Sequence, residues 1–174
     1  MNTVNINPDN FLDALLAPFG GKDTHSPEGE ALPSTSSKAW TFTLHNNERD
    51  THLTLKARRP RGWTVESPVL IDLMVGKDNS SDFDFIGSVS PKGFYKASPK
   101  SKVEGDVKAV ADRTMVWLLT KINNGVELPE ALEIKGASKC CRCAKKLTNP
   151  DSVDDGMGPV CRRKANQSKV SRGV

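Results

Sequence analysis

The sequence predicts an α+β protein in which one long helix packs on a small antiparallel sheet and a zinc-knuckle module follows at the C-terminal end. Three observations support this fold class. Several segments between residues 39 and 98 alternate apolar and polar side chains, a helical pattern occupies residues 105–125, and all four cysteines lie after residue 139. A chain of 174 residues can bury one core of ordinary size with a small satellite beside it.

The sheet is predicted from short runs of β-type sequence. AWTFTLHN (39–46) and THLTLKARR (51–59) alternate and enclose the turn sequence NNERD, which indicates a β-hairpin. PVLIDLMVG (68–76) is more continuously apolar, and FDFIGSVS (83–90) and GFYKAS (93–98) follow turn-rich sequence. ALEIK (131–135) is expected to return as a final short strand.

The long helix is predicted over GDVKAVADRTMVWLLTKINNG (105–125). Asp106 lies near its start and Asn124-Gly125 near its end. An apolar stripe at helical spacing is expected to face the sheet, and its members are Val107, Val110, Ala111, Met115, Leu118 and Ile122.

The first 38 residues are predicted to hold a short helix and a flexible linker. Asp9 or Asn10 can cap a helix that carries Phe11, Leu12, Leu15 and Leu16, which packs on its own domain or on a partner. Residues 21–38 have the composition of a linker. The expected organisation is therefore an N-terminal segment (1–38), an α+β body (39–135), a zinc-finger-like module (136–164) and a disordered basic tail (165–174).

Charge is distributed unevenly along the chain. The formal net charge is +4, but residues 136–174 carry nine Lys and Arg against three acids, which leaves the rest at −2. No apolar run approaches the roughly 20 residues that a membrane span needs, and the N-terminus lacks the pattern of a signal peptide. We therefore expect a cytoplasmic protein with no membrane partner.

The cysteines have the spacing of a metal site. Cys140 and Cys143 form C-x2-C, and Cys161 follows after 17 residues, so that three thiolates can converge on one zinc ion. A second C-x2-C would place its last ligand at Lys164, which cannot ligate. The candidates for a fourth ligand are Cys141, Asp154, Asp155, His25, His45, His52 or water.

Two other interpretations of the cysteines stay open, namely redox-active thiols and ordinary reduced cysteines. The βαβ context of a redox C-x2-C pair is absent around Cys140. The segment also has too few large apolar side chains to fold on a core of its own, which favours a structural zinc ion. The sequence contains neither His-x-Glu followed by C-x2-C nor H-E-x-x-H, so a catalytic zinc is not expected.

The run LTNPDSVDDGMGPVC after the C-x2-C resembles the C-terminal module of a family of largely uncharacterised phage and actinobacterial proteins, and LMVGKDNSSDFDFIG (73–87) is similar to a strand pattern of the same family. The resemblance covers about residues 40–163. It implies that Cys140, Cys143 and Cys161 are metal ligands, and it implies a viral or prophage origin. Its scaffold positions are Leu147, Thr148, Pro150, Ser152, Gly156, Gly158 and Pro159.

This chain departs from that pattern in two places. Ala144-Lys145 replaces the Gly-Arg after the second cysteine, and the histidine shortly before the first cysteine has no counterpart near Gly136. Independently of the resemblance, Gly156 and Gly158 permit positive φ or close approach, Ser152 can cap or turn the chain, and Pro159 suits the start of a helix. Cys161 would then lie in the first turn of that helix.

Basic residues surround the cysteines and could contact the phosphate backbone of a nucleic acid. The candidates in the module are Arg142, Lys145, Arg162, Arg163 and Lys164. A second group lies in KARRPRGW (56–63), where Arg58, Arg59 and Arg61 precede Trp63, as in surfaces that grip phosphate and stack a base. Alternatively, the basic residues of the module only keep it solvated, and those of the second group protect an edge strand from pairing with other chains.

No catalytic triad, phosphate-binding glycine loop or pair of catalytic carboxylates is recognisable, so the chain is not expected to be an enzyme or to take a small-molecule substrate. The first functional hypothesis is a phage-type protein that binds nucleic acid, such as DNA, through a zinc module and basic residues. The second is a protein-binding viral effector that inhibits a host machine such as a polymerase, a nuclease or a defence complex.

Overall fold

The computed structural model describes residues 7–16, 39–59, 64, 66–78, 81–140, 142–143 and 145–170. Within these ranges the elements are α1 (Pro8–Leu16), β1 (Ala39–Asn46), β2 (Thr51–Arg58), β3 (Val69–Met74), β4 (Phe83–Val89), β5 (Tyr95–Ala97), α2 (Gly105–Asn123), β6 (Leu132–Gly136), β7 (Ser138–Lys139), β8 (Lys146–Leu147), α3 (Pro150–Asp154) and α4 (Pro159–Val170). The predicted α+β fold class is confirmed. The linker predicted over residues 21–38 lies outside the described residues.

Six strands form one antiparallel sheet in the order β5-β4-β3-β2-β1-β6. β1 and β2 pair as the predicted hairpin, from Ala39 opposite Arg58 to Asn46 opposite Thr51. β6 then returns to the free edge of β1. β7 and β8 form a separate two-stranded hairpin, which belongs to the cysteine module.

One face of the sheet carries the apolar core, and both α1 and α2 pack on it. The strand residues of this core include Trp40, Phe42, Leu44, Leu55, Ala57, Val69, Ile71, Leu73, Ile86, Val89 and Ile134. From α1, the ring of Phe11 is fully buried, with its centroid 5.1 Å from that of Phe42 and 5.6 Å from that of Trp40. The short N-terminal helix therefore packs on its own domain.

The buried stripe of α2 differs in part from the prediction. Its buried residues are Ala111, Met115, Leu118 and Leu119, whereas Val107 and Val110 are 56% and 42% exposed. At about 100° per residue, Val110 points well away from Ala111, on the side of the helix opposite to Leu119. The apolar face is therefore rotated from the predicted one toward Leu119.

A β-bulge in β4 decides which face its side chains occupy. Ile71 pairs with Gly87 and Asp72 with Phe85, so Ile86 is an extra residue on β4. Regular alternation would place Phe85 and Val89 on the same face, but the bulge sends Val89 and Ile86 into the core and Phe85 to the opposite face.

The C-terminal helix extends further than expected. α4 continues to Val170, so the first six residues of the segment predicted to be a disordered tail are helical. Pro159 begins this helix, and no further proline or glycine occurs up to Val170, so no helix-breaking residue interrupts α4. Among the described residues, no helix has the length and apolarity that crossing a membrane requires.

The burial of α1 leads to a prediction about stability. Phe11→Ala should lower the free energy of unfolding by about 3–5 kcal/mol, because it leaves a cavity between Trp40, Phe42 and the helix. Denaturant unfolding measures this loss. The exposed neighbour Asp13 provides the control Asp13→Ala, and equal stabilities of the two variants would contradict the packing described here.

Candidate metal centre and basic module

Three cysteines from two separated parts of the module converge on one point. Cys140 directly follows β7, Cys143 lies in the turn before β8, and Cys161 is the third residue of α4. Their sulfur atoms all lie within 4.8 Å of one another. The group can therefore hold a metal ion, and the sequence prediction for these three residues agrees with its geometry.

The hairpin that presents the first two cysteines is closed by backbone hydrogen bonds. Ser138 pairs with Leu147 and Lys139 with Lys146. The N–H of Cys140 donates to the carbonyl of Lys145 at 2.8 Å, which turns the chain back just after β7. The hairpin thereby places both thiols of the C-x2-C on the same side.

Short turns bring α4 back to the hairpin. The Asn149 side chain accepts a hydrogen bond from the Ser152 N–H and caps α3, so the capping residue is Asn149 and not Ser152. Gly156 has φ +62°, the left-handed conformation for which glycine is suited. Pro159 then begins α4, and Cys161 lies in its first turn as predicted.

The module has only a small apolar core. Cys140, Leu147 and Val153 are buried together, with Met157 and Cys161 packed against them. One valine and one leucine remove too little apolar surface from water to order this many residues by burial alone. Additional order must come from a metal or from contacts with the sheet.

The environment of the sulfur atoms favours ionisation at one of them. Hydrogen bonds from the backbone of Gly158, and then of Arg142 and Cys143, lower the pKa of Cys140 to about 6. A hydrogen bond with the Cys143 side chain, together with burial and the neighbouring Cys140 thiol, raises the pKa of Cys161 to about 11. Cys140 is thus ready to ligate at neutral pH, and Cys161 must lose its proton when a cation binds.

The described residues provide no fourth ligand of the histidine, cysteine or carboxylate type to this group. Asp154 pairs with Lys135, and Asp155 pairs with Arg162. His45 lies between Asp50 and Glu133 on the sheet, and His52 is not in the group either. Cys141 and His25 lie outside the described residues.

The module covers part of the polar face of the sheet, opposite the apolar core. The Thr43 hydroxyl on β1 donates to the carbonyl of Thr148 at 2.8 Å, and the Lys146 ammonium donates to the Thr41 hydroxyl. The Thr148 hydroxyl contacts the sulfur of Met74 at 3.9 Å. These contacts explain why Thr41 and Thr43 are buried although they face away from the core.

A buried lysine links the sheet to the module. The Lys135 ammonium lies 2.9 Å from a carboxylate oxygen of Glu133 and 2.6 Å from one of Asp154, and its side chain is 5% exposed. The hydrogen bond with Lys135 is the main cause of the lowered pKa of Glu133. The resulting stabilisation is present at neutral pH and is lost in acid as Glu133 takes up a proton.

The predicted basic residues of the module lie at its surface, with one exception. Arg142, Lys145, Arg163 and Lys164 are exposed. The Arg142 guanidinium also donates to the Cys161 carbonyl at 3.3 Å, which places it beside the first turn of α4. Arg162 is partly buried, pairs with Asp155 and donates to the Met157 carbonyl, so it takes part in holding the module together.

The second predicted basic group is divided by the fold. Arg58 lies on the polar face and pairs with Asp72 at 2.5 Å. The prediction that Arg59 contacts phosphate is wrong, because its side chain is buried against α1 and donates to the Leu15 carbonyl at the end of that helix. Burial lowers the pKa of Arg59 to about 10. Arg61 lies outside the described residues.

The residues that connect the module to the sheet, including the lysines among them, were not identified from the sequence. Lys135 and Lys146 belong to no recognisable motif, and Asp154 is predicted only as a candidate metal ligand. The one available signal was β1, where threonines occupy the positions that alternate with the apolar residues, a composition suited to a polar face that is itself covered.

The fold and the sulfur cluster define a small α+β body followed by a module whose three cysteines could hold a metal ion. Residues 135–166, which include the three clustered cysteines, match a family of unknown function, DUF6011. Neither the curated proteins nor the solved structures provide a match to the chain. The match therefore coincides with the cysteine module.

The link between sheet and module leads to a second prediction. Lys135→Met should lower the free energy of unfolding by about 1–3 kcal/mol, because it removes the cation that Glu133 and Asp154 share. Hydrogen exchange should become faster for amides of residues 138–164 in particular. Lys139→Met removes an exposed charge nearby and is the control. Equal protection of these amides against hydrogen exchange in both variants would rule out this role of Lys135.

Proposed function

We propose that this protein is a non-enzymatic nucleic-acid-binding protein whose C-terminal module holds a structural zinc ion and contacts the phosphate backbone. One observation supports this above the others. The sulfur cluster brings together two basic segments, residues 142–145 and 162–164, that are well separated in sequence. Positive side chains grouped in this way suit a polyanionic ligand.

The donor set suits zinc and disfavours magnesium and calcium. Two sulfur atoms at about 2.3 Å from a tetrahedral zinc lie about 3.8 Å apart, which is compatible with sulfur atoms that are at most 4.8 Å apart here. Thiolate ligands also disfavour magnesium and calcium, which prefer oxygen. Cys141 or a water molecule would complete the coordination.

A phage or prophage setting is supported by the resemblance of the C-terminal pattern to phage and actinobacterial proteins.

The second candidate function, a protein-binding effector, is favoured by a different surface. A groove of about 680 Å³ between α2 and the β1–β2 hairpin is lined by Leu44, Leu53, Val110, Trp117 and Leu132, among others. Trp117 is 38% exposed there, and large exposed aromatic residues are frequent in protein interfaces.

Metal content is the first test of this proposal. The purified protein should contain about one zinc per chain, and Cys161→Ser should lose it because a thiolate is replaced by a weakly binding hydroxyl. Elemental analysis measures both, with Val160→Ser on the same turn as the control. A metal-free wild type whose residues 138–164 resist hydrogen exchange would contradict a structural zinc. Loss of zinc in Cys141→Ser would identify the fourth ligand.

Salt dependence tests the contact with phosphate. Replacing Lys145, Arg163 and Lys164 together by Gln should flatten the slope of log K against log[salt] by up to about 2–3, since each lost phosphate contact contributes about 0.7–0.9. The matched control replaces the exposed body residues Lys92, Lys100 and Lys102 by Gln, with the same change in net charge. Fluorescence anisotropy with labelled DNA measures the affinities, and zinc content should stay unchanged.

Two results would overturn the nucleic-acid proposal. The first is a wild type that does not bind DNA or RNA at low salt, and the second is a module variant with the slope of the control variant. Either result would make the protein-binding effector the better hypothesis.

A further inference from the structure

The part of the polar face formed by β2, β3, β4 and β5 carries phenylalanines and cations together. Across the strands, Lys56 pairs with Asp72 and Asp72 with Phe85. The neighbouring row runs from Arg58 through Leu70 to Ser88, and Ser88 pairs with Lys96. We call this the phenylalanine surface, and its members are Lys56, Arg58, Leu70, Phe83, Phe85 and Lys96.

Two aromatic rings on this surface lie outside the apolar core. Phe83 and Phe85 are each only partly buried, whereas other large side chains of the same sheet are fully buried. The bulge at Ile86 is what places Phe85 on this face. An aromatic ring kept at the surface by a bulge is suited to contact with a flat ligand.

Two cations lie over one of these rings, that of Phe83. The Lys56 ammonium lies 3.9 Å from the centroid of Phe83, and the Lys146 ammonium, which comes from the module, lies 5.8 Å from it. Burial, and next the charge of Lys56, lower the pKa of Lys146. Asp72 is the carboxylate that offsets Lys56 and Arg58. An anionic ligand would reduce the repulsion between the two lysines.

We propose that the phenylalanine surface binds single-stranded nucleic acid, with a base stacked on Phe85 and phosphates held by Lys56, Arg58 and Lys96. This inference rests on the proposed function and adds a preference for unpaired bases. Aromatic rings interleaved with cations are typical of surfaces that bind single strands, because every base has a flat face and every nucleotide an anion. Bases in a duplex are already stacked and are not available to Phe85.

The binding site is continuous with the module. Lys146 belongs to β8 and reaches toward Phe83, so the surface and the basic segments of the module adjoin at this residue. A strand that contacts Arg142 or Lys145 by its phosphates can therefore extend onto the sheet.

The test compares a labelled single strand of about 15 thymidines with a duplex of the same length, using the full-length chain. Phe85→Leu keeps an apolar side chain but loses the ring, and it should weaken binding of the single strand about fivefold or more and leave the duplex affinity unchanged. Phe85→Tyr keeps the ring and should retain the affinity. Phe94, which is 58% exposed in the turn before β5, provides the control Phe94→Leu.

The outcomes separate this inference from the proposed function. If Phe85→Leu binds the single strand as tightly as Phe94→Leu does, base stacking on the surface is excluded, whereas a flattened salt slope in the Lys145, Arg163 and Lys164 variant still supports phosphate binding by the module. If Phe85→Tyr loses affinity to the same extent as Phe85→Leu, stacking is excluded as well. A wild type that binds neither probe overturns both proposals.

Discussion

Coverage of the sheet on both faces, by partners of opposite character, is the constraint on which the rest of the structure depends. The helices cover one face with apolar side chains, as in any packed core. The cysteine module covers part of the other face but contributes hardly any apolar side chains. Polar contacts must therefore hold the module on the sheet. The Thr43 hydroxyl and the Lys135 ammonium are both buried, and each is satisfied by a group of the module.

This arrangement connects the sulfur cluster to the sheet. Leu147 and Val153 give the module a minimal core, and the hairpin that carries Cys140 and Cys143 also carries Thr148 and Lys146 toward the sheet. A metal ion would fix the distance between this hairpin and α4. The basic side chains of both segments would then be held in one arrangement, which would reduce the entropy lost when the proposed polyanionic ligand binds.

Most of the fold could be predicted because the relevant signals are local. Alternation in β1 and β2, the turn between them and the spacing of the cysteines are all visible within short windows. The bulge at Ile86 could not be predicted, because it depends on pairing with β3, and it reverses the face expected for Val89 relative to Phe85. The burial of Arg59 could not be predicted for a similar reason, since α1 precedes it by more than 40 residues and covers it only in the folded chain. Lys135 likewise acquires its role from Asp154, 19 residues away.

The hydrogen bond between Thr43 and Thr148 also determines when the molecule can be completed. These residues are 105 positions apart, so the contact forms only after residue 148 has been synthesised. On the ribosome, β1 and β2 can pair long before β8 emerges, and the threonines of β1 remain uncovered in the meantime. Because these exposed groups are hydroxyls, this face of the β1–β2 hairpin can stay hydrated until Thr148 covers it.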